Sequence, residues 1–139
     1  ELNEPKRESV IQRKYLIKED ILFQSSQQYQ KYFDQIDQYI TQNIREPISR
    51  TGLADYLHLS PDYISHIVRV MKNCSCKEWI TQRKMNFARH MIQTTNLPIG
   101  EIAAQCGYDS FAYFSKVYKL YFNITPRNDR AGIRENEPS

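Results

Sequence analysis

The sequence predicts an all-α protein in which two similar subdomains, each built on a pair of short helices, are joined by a long connecting helix. Three observations lead to this prediction. Valine is rare and Gln, Lys, Arg and Ile are common, a composition that favours helices over sheets. Apolar residues recur at steps of three and four from Phe33 onward. Serine helix-start signals lie in two stretches of chain that resemble each other.

Composition limits the class of protein. With 40% hydrophobic and 25% charged side chains, the 139 residues have an ordinary globular composition and suffice for one domain or two very small ones. No apolar run approaches the roughly 20 residues that span a bilayer, so we expect no membrane partner. Only four glycines are present and no glycine-rich phosphate-binding string occurs, which excludes a nucleotide cradle of that type.

The N-terminal part divides into two segments. Residues 1–30 are polar, and their apolar side chains fit neither the helical nor the strand period. We therefore interpret 1–30 as a linker or an N-terminal extension of something larger, with some helix. From Phe33 the period is helical, and this helix should end before Pro47, because a residue that precedes proline is driven out of the helical region.

Two short helices should follow. Ser49 can cap a helix over about 50–57. Ser60 followed by Pro61 is a strong start signal, since proline suits the first helical position. Asn73 can end this second helix in the left-handed conformation, where it replaces the usual glycine.

The rest of the chain repeats the pattern after a longer element. A long helix is predicted over about 75–95, with an apolar stripe along one side. Pro98 opens a short helix over about 99–105, and Ser110 starts the last main helix, over about 111–122.

The two helix pairs form an internal repeat. The segment LADYLHLSPDYISHIV (53–68) matches IAAQCGYDSFAYFSKVY (102–118), and each reads as a short helix, a tight turn and a second helix with a capping serine. This is the helix-turn-helix pattern. At an offset of 50 residues the matching pairs are Ser60 with Ser110, Tyr63 with Tyr113, and Ser65 with Ser115.

The spacing of the repeats suits duplex DNA. A connecting helix of about 20 residues is about 30 Å long. One turn of duplex DNA is about 34 Å, which separates successive major-groove segments on one side.

Charge is distributed unevenly along the chain. Residues 45–130 carry twelve basic and seven acidic side chains, whereas 1–44 and 131–139 each have a net charge of −1. A basic unit between acidic flanks favours a polyanion partner, with a plain solvated surface as the alternative.

The segment from about Phe33 to Arg130 resembles the DNA-binding domain of the AraC/XylS family of bacterial transcription regulators. The residues that carry the resemblance are LPIGEIAAQCGYDSFAYFSKVYKLYFNITPR (97–127) and EPISRTGLADYLHLSPDYISHIV (46–68). The resemblance implies seven helices and sequence-specific binding of double-stranded DNA by a cytoplasmic bacterial regulator, here taken as an activator.

The implied organisation is a DNA-binding domain over 31–130, preceded by 1–30 as the joint to a sensing or dimerisation domain outside this sequence and followed by a flexible tail over 131–139. Within the domain the ranges are 47–73 for the first helix-turn-helix, 75–95 for the connecting helix and 97–123 for the second helix-turn-helix. The resemblance implies further partners: RNA polymerase, and an effector or dimer partner that binds through the outside domain. It implies no cofactor.

The resemblance also assigns site residues. The second helix of each pair is the recognition helix, and its outward face carries the candidate base contacts: Asp62, Ser65, His66, Phe111, Ala112, Ser115 and Lys116. Lysine can donate to guanine, aspartate can accept from cytosine, and apolar side chains can contact a thymine methyl. For Asp62 a favourable charge at a helix start is the competing explanation. The candidate contacts to the DNA backbone are Arg50, Arg69, Lys72, Arg83, Lys119 and Arg127.

The sequence departs from the family pattern at Asn73, Asn123, Asp129 and Lys84. Asn73 and Asn123 replace the glycine that usually follows each recognition helix, which should preserve the fold. Asp129 stands where an aromatic residue is usual, so the resemblance does not fix the last helical turn. Lys84 stands where the connecting helix usually has arginine, and we expect this exchange to weaken a salt bridge or a phosphate contact.

Other chemistries find little support. The three cysteines are odd in number and indicate a reducing compartment rather than a disulfide framework. Cys74 and Cys76, with His66 and His90 nearby, lack the spacing of a zinc site, and Cys106 is predicted to be a core residue. No nucleophile–base pair or carboxylate pair stands out, so no enzyme is predicted. Two alternatives to a regulator stay open: a protein-interaction module with this fold, and the DNA-targeting part of a larger enzyme.

Overall fold

The computed structural model describes the backbone of residues 3–132 and the side chains of residues 22–132. This part of the chain is helical without strands, which confirms the all-α prediction. Its seven helices are α1 (Asn3–Gln42), α2 (Arg50–Leu57), α3 (Pro61–Lys72), α4 (Cys76–Thr94), α5 (Ile99–Gln105), α6 (Phe111–Phe122) and α7 (Pro126–Ala131). Within these bounds no helix combines the length and the apolarity that crossing a bilayer requires. The tail predicted over 131–139 lies almost entirely outside the described residues.

The first helix is much longer than predicted. We expected a linker with some helix before Phe33, whereas α1 runs without a break for 40 residues. Gln, Lys and Glu have good intrinsic helix propensity, so a polar stretch of them continues a helix that a packed segment nucleates. The packed segment lies at the C-terminal end, where Phe33, Ile36 and Ile40 are buried. Farther upstream Leu22 and Phe23 are each 62% exposed, and a helix without an inner face shows no apolar period.

Helix starts follow the sequence closely. Each of five helices begins after a serine or threonine whose hydroxyl accepts the backbone N–H three residues later, the hydrogen bond expected of an N-cap. The predicted caps at Ser49, Ser60 and Ser110 are confirmed. Ser75 caps α4 and Thr125 caps α7 in the same way.

Helix ends are also as predicted where asparagine replaces glycine. Asn73 ends α3 and Asn123 ends α6, both with φ of 57° in the left-handed region. His58 ends α2 in the same conformation, which the sequence did not indicate. Its backbone N–H donates back to carbonyls of the helix it ends, and histidine is one of the non-glycine residues that adopt a positive φ more often than most.

Two apolar cores lie at opposite ends of α4. The first packs α1, α2 and α3 against the start of α4, at Cys76 and Ile80. The second packs α5 and α6 against the remainder of α4, at Met85, Ala88 and Ile92. Each helix-turn-helix therefore has its own core, and α4 belongs to both. The predicted burial of Cys106 is confirmed.

Lys84 lies on α4 between the two cores and is buried. Its Nζ donates to the carbonyl oxygens of Ile44 and Glu46, each at 2.8 Å, in the segment that follows α1. Burial lowers the pKa of the Lys84 ammonium. We expected lysine at this position to weaken a salt bridge or a phosphate contact; the structure instead places its charge inside the protein, where it holds backbone carbonyls that follow the end of α1.

Asp129 organises the last helix. Its carboxylate accepts hydrogen bonds from the Tyr118 hydroxyl and from Gln93 Nε2, the latter at 3.1 Å. It also forms an ion pair with Arg89 Nε at 3.1 Å, and only 7% of the Asp129 side chain is exposed. Burial, followed by this carboxylate, raises the pKa of Tyr118. The residue that departs from the family pattern thus anchors α7 to α4 and α6.

We expect Asp129→Ala to lower the free energy of unfolding by about 2 kcal/mol, because it leaves the Tyr118 hydroxyl and the Arg89 guanidinium without their partner. Urea denaturation followed by circular dichroism measures the change. Asp109→Ala is the matched control, since Asp109 is exposed and should change stability little. Equal midpoints for both variants would contradict the anchoring role.

Stability should fall above about pH 9. Burial raises the pKa of Cys106 from 9.0 to about 11 and that of Tyr108 from 10.0 to about 12. A group with a raised pKa in the folded state stabilises the protein below its unfolded pKa, and this contribution is lost as the pH rises through the folded pKa. Lys84, with a lowered pKa, opposes the trend. We expect a net loss of about 2 kcal/mol between pH 9 and about 11.

Urea titrations at a series of pH values test this dependence. Tyr108→Phe removes one of the titrating groups and should give a shallower slope above pH 10.0 than the wild-type chain. Identical slopes would mean that Tyr108 ionises alike in the folded and unfolded states.

Candidate DNA interface

The outward face of α3 carries the first group of predicted base contacts. Asp62 has 98% of its side chain exposed at the start of the helix. Arg50, from the start of α2, lies across this face: its Nη1 donates to Ser65 Oγ at 3.0 Å and lies 3.7 Å from Asp62 Oδ1. The structure therefore brings one predicted backbone contact and two predicted base contacts together.

His66, on the same face, contacts α1. Its Nε2 lies 3.1 Å from the Tyr29 hydroxyl, and the two rings meet edge to face with centroids 5.4 Å apart. Tyr63 packs against Tyr29 and His66 as well. Burial, followed by the neighbouring Tyr29 and Tyr32, raises the pKa of Tyr63. Sequence reasoning missed Tyr29, because it assigned 1–30 to a linker; tyrosines at 29 and 32 were the available signal.

The second recognition helix, α6, carries the other predicted base contacts. Phe111, Ala112 and Lys116 are exposed, with Phe111 52% accessible, and Ser115 is half-buried. Ala112 and Phe111 present apolar surface at the start of the helix, and Lys116 presents a cation one turn later. The face therefore combines a donor with two apolar groups, a combination that can contact base edges in the major groove.

The predicted backbone contacts divide into two groups. Arg69 and Arg127 are exposed, and Lys119 is exposed on α6 while also interacting within the protein. Lys72 is exposed too, and its Nζ lies over the rings of Trp79 and Phe33, 4.9 and 5.4 Å from their centroids.

Arg83 contacts the protein rather than an open face. It forms an ion pair with Asp37 of α1 and donates to Thr41 Oγ1 at 2.6 Å. Trp79 Nε1 donates to the same Asp37 carboxylate at 3.2 Å. The structure thus gives Arg83 the role of fastening α4 to α1, where the sequence suggested a phosphate contact.

A cleft of about 630 Å³ separates the two helix-turn-helix units. Its cationic lining residues are Arg50, Lys77 and Lys84, and no Asp or Glu occurs among the described residues that line it. Its remaining walls come from the starts of α2 and α4 and from the turn before α6, at Gly107 and Tyr108. Because Lys84 is buried and bonded to backbone carbonyls, the exposed cations at this cleft are Arg50 and Lys77, and they suit a polyanion.

Among the described residues, the metal-ligating side chains are dispersed and the thiols have raised pKa values. Over the described range, no three His, Cys, Asp or Glu residues are grouped so as to hold a metal ion. Burial raises the pKa of Cys76 and raises that of Cys106 to about 11, so both thiols are protonated at neutral pH. Burial also raises the pKa of Cys74. Protonated thiols are poor nucleophiles and poor metal ligands.

Known proteins resemble this chain in both sequence and fold. A family model described as a helix-turn-helix domain matches residues 53–132. The chain is 32% identical over 96 residues to the HTH-type transcriptional regulator GbdR of Pseudomonas aeruginosa, which is 69% of this chain and 26% of that protein. It is 29% identical over 99 residues to the arabinose operon regulatory protein of Escherichia coli, covering 70% of this chain and 34% of that protein.

A solved structure of a transcriptional regulator is also similar to this chain in fold. A transcriptional regulator with an AraC-type DNA-binding domain from Chromobacterium violaceum superimposes with a TM-score of 0.72 at 28% identity, over 78% of this chain and 96% of that one. The chain spans about a quarter to a third of the length of the two curated relatives. By sequence and by fold, the chain belongs to the AraC/XylS family of transcription regulators and carries its AraC-type helix-turn-helix domain.

Proposed function

We propose that this chain binds double-stranded DNA in a sequence-specific manner as the DNA-binding part of a bacterial transcription regulator, with α3 and α6 in adjacent segments of the major groove. The observation that carries the proposal is the pair of serine-capped helices, similar in sequence, that are held by separate cores at the two ends of α4. At 19 residues, α4 is about 28 Å long, close to the roughly 34 Å of one duplex turn.

In this proposal α3 contributes three polar readers. Asp62 accepts from a cytosine amino group, and Ser65 contacts a base or a phosphate. Arg50, beside both, neutralises the Asp62 carboxylate near the polyanion and contributes a phosphate contact. His66 adds a third reader, either as a donor or as an acceptor.

The α6 face contributes a different chemistry. Lys116 donates to O6 or N7 of guanine, and Phe111 with Ala112 contacts a thymine methyl. Ser115 contacts a base or a phosphate. The phosphate contacts in the proposal are Arg50, Arg69, Lys72, Lys119 and Arg127; Arg83 is left out because only 21% of its side chain is exposed in its ion pair with Asp37.

The organisation of the chain is part of the proposal. Residues 31–130 form the DNA-binding domain, and α1 connects it to a sensing or dimerisation domain of a longer regulator, as the greater length of the relatives suggests. An effector, a second subunit and RNA polymerase are partners of that whole regulator, and the cytoplasm is its compartment. The chain itself acts without catalysis in this proposal.

Selection from a random duplex library at near-physiological salt tests the proposal. We expect a two-part motif whose halves lie about 10 base pairs apart, since each recognition helix reads one major-groove segment. Sequencing of the bound pool gives the motif, and its affinity should fall steeply with salt through counterion release.

Two outcomes would contradict this arrangement. An affinity that stays constant between 50 and about 200 mM salt would argue against a polyanion partner and favour a protein-interaction module. A single short motif would mean that one helix-turn-helix unit reads DNA and the other contacts only the backbone.

Lys116→Ala should cost about 1–3 kcal/mol on the selected site and abolish the preference at one base position, because a base-specific donor is lost. Lys119→Ala, a backbone-contact variant one turn later on the same helix, should weaken binding about equally on all sequences. Fluorescence anisotropy on the selected site and on single-base variants of it measures both effects. If Lys116→Ala also lowered affinity equally on every sequence, Lys116 would be a phosphate contact only.

A further inference from the structure

We infer that Tyr29 is a specificity-determining residue for DNA reading, because its hydroxyl competes with a base edge for Nε2 of His66. This inference rests on the proposed function, and it concerns a residue of α1 that lies outside both helix-turn-helix units. It gives a role to a segment that sequence reasoning assigned to a linker.

The contact is specific in geometry. The Tyr29 hydroxyl oxygen and His66 Nε2 are 3.1 Å apart, within hydrogen-bonding distance, and they are separated by 37 residues of chain. The Tyr29 ring meets the imidazole edge to face at 75°, with centroids 5.4 Å apart. The other face of the cluster is supplied by Tyr63, whose ring lies nearly parallel to that of His66 at 22° and 6.4 Å.

The atom that Tyr29 contacts is the one that DNA would need. In histidine, Nε2 is the ring nitrogen farther from the backbone, so it extends farthest from a helix toward a groove. A neutral imidazole offers one donor and one acceptor nitrogen, and each Nε2 hydrogen bond occupies that single position. A base edge can therefore pair with Nε2 only after the Tyr29 hydroxyl has been displaced.

The anchoring of α1 keeps Tyr29 in place. Phe33 is buried in the first core, and Tyr32 packs edge to face on Tyr63 with centroids 5.9 Å apart. Tyr32 thus contributes to the same aromatic cluster through its ring, while the hydrogen bond to His66 comes from Tyr29. The two tyrosines lie three residues apart on one helix, and both rings pack in the cluster, while the hydroxyl contact with His66 comes from Tyr29. They therefore form a matched pair of positions for testing the effect of that hydroxyl.

Tyr29→Phe removes the hydroxyl and keeps the ring. We expect this variant to bind the selected site roughly two- to tenfold more tightly, the equivalent of one intramolecular hydrogen bond, and to show a stronger preference at a single base position. That position should be the one at which His66→Ala loses its preference. Tyr32→Phe, the control, should leave both affinity and preference unchanged.

A double-variant cycle decides whether Tyr29 acts through His66. In the His66→Ala background, Tyr29→Phe should have no further effect on affinity or on base preference. Thermal melting of each variant, followed by circular dichroism, tests whether the fold is intact. The ¹⁵N resonances of the His66 imidazole in the free protein provide a second measurement: Tyr29→Phe should shift Nε2, and so should addition of the selected duplex.

Several results would overturn the inference. Tyr29→Phe could bind DNA less tightly or match Tyr32→Phe, its effect could persist without His66, or His66→Ala could leave every base preference unchanged. A wild-type chain that selects no DNA motif would instead refute the proposed function itself, so the two failures are distinguishable.

Discussion

A buried apolar stripe along α4 holds the protein together, because both cores pack against it. Cys76 and Ile80 belong to the core of the first helix-turn-helix unit, and Met85, Ala88 and Ile92 belong to that of the second. A single continuous helix supplies both sets of side chains. The placement of α3 relative to α6 therefore depends on how straight α4 is. It also depends on the angle around the helix axis between the two sets, which is fixed by the roughly 100° turn per residue. A domain that recognises two groove segments needs this kind of rigid spacer.

Buried polar groups form further contacts between the helices, in addition to the two apolar cores. Lys84 occupies the boundary between the two apolar clusters and binds the carbonyls that follow α1. Asp129 joins α7 to α4 and α6, and Asp37 joins α1 to α4 through Arg83 and Trp79. Each of these groups is charged and at least partly desolvated, so each stabilises the fold only because a partner is in place.

The first helix changes the character of the interface. An isolated helix-turn-helix unit would present His66 beside Tyr63 alone, whereas here Tyr29 of α1 also contacts its ring. The same helix, α1, is continuous from Asn3 to Gln42 and contributes Tyr29 to this aromatic cluster. In the proposed function, the helix that would connect the domain to a longer regulator is thus in direct contact with His66, one of the proposed base readers.

The local features of the fold could be predicted from the sequence, and the contacts between distant segments could not. Serine caps, the proline at the start of α3 and the left-handed asparagines act within a few residues, so Ser60, Pro61 and Asn73 already define where α3 begins and ends. The repeat and its outward faces follow from the helical period, which is also local. Only the tertiary structure showed that α1 is continuous, that Lys84 and Arg83 are internal, and that Tyr29 meets His66. These depend on which side chains face one another across 37 to 46 residues of chain, and the energy of such a contact is set by burial and geometry rather than by the identity of either residue alone.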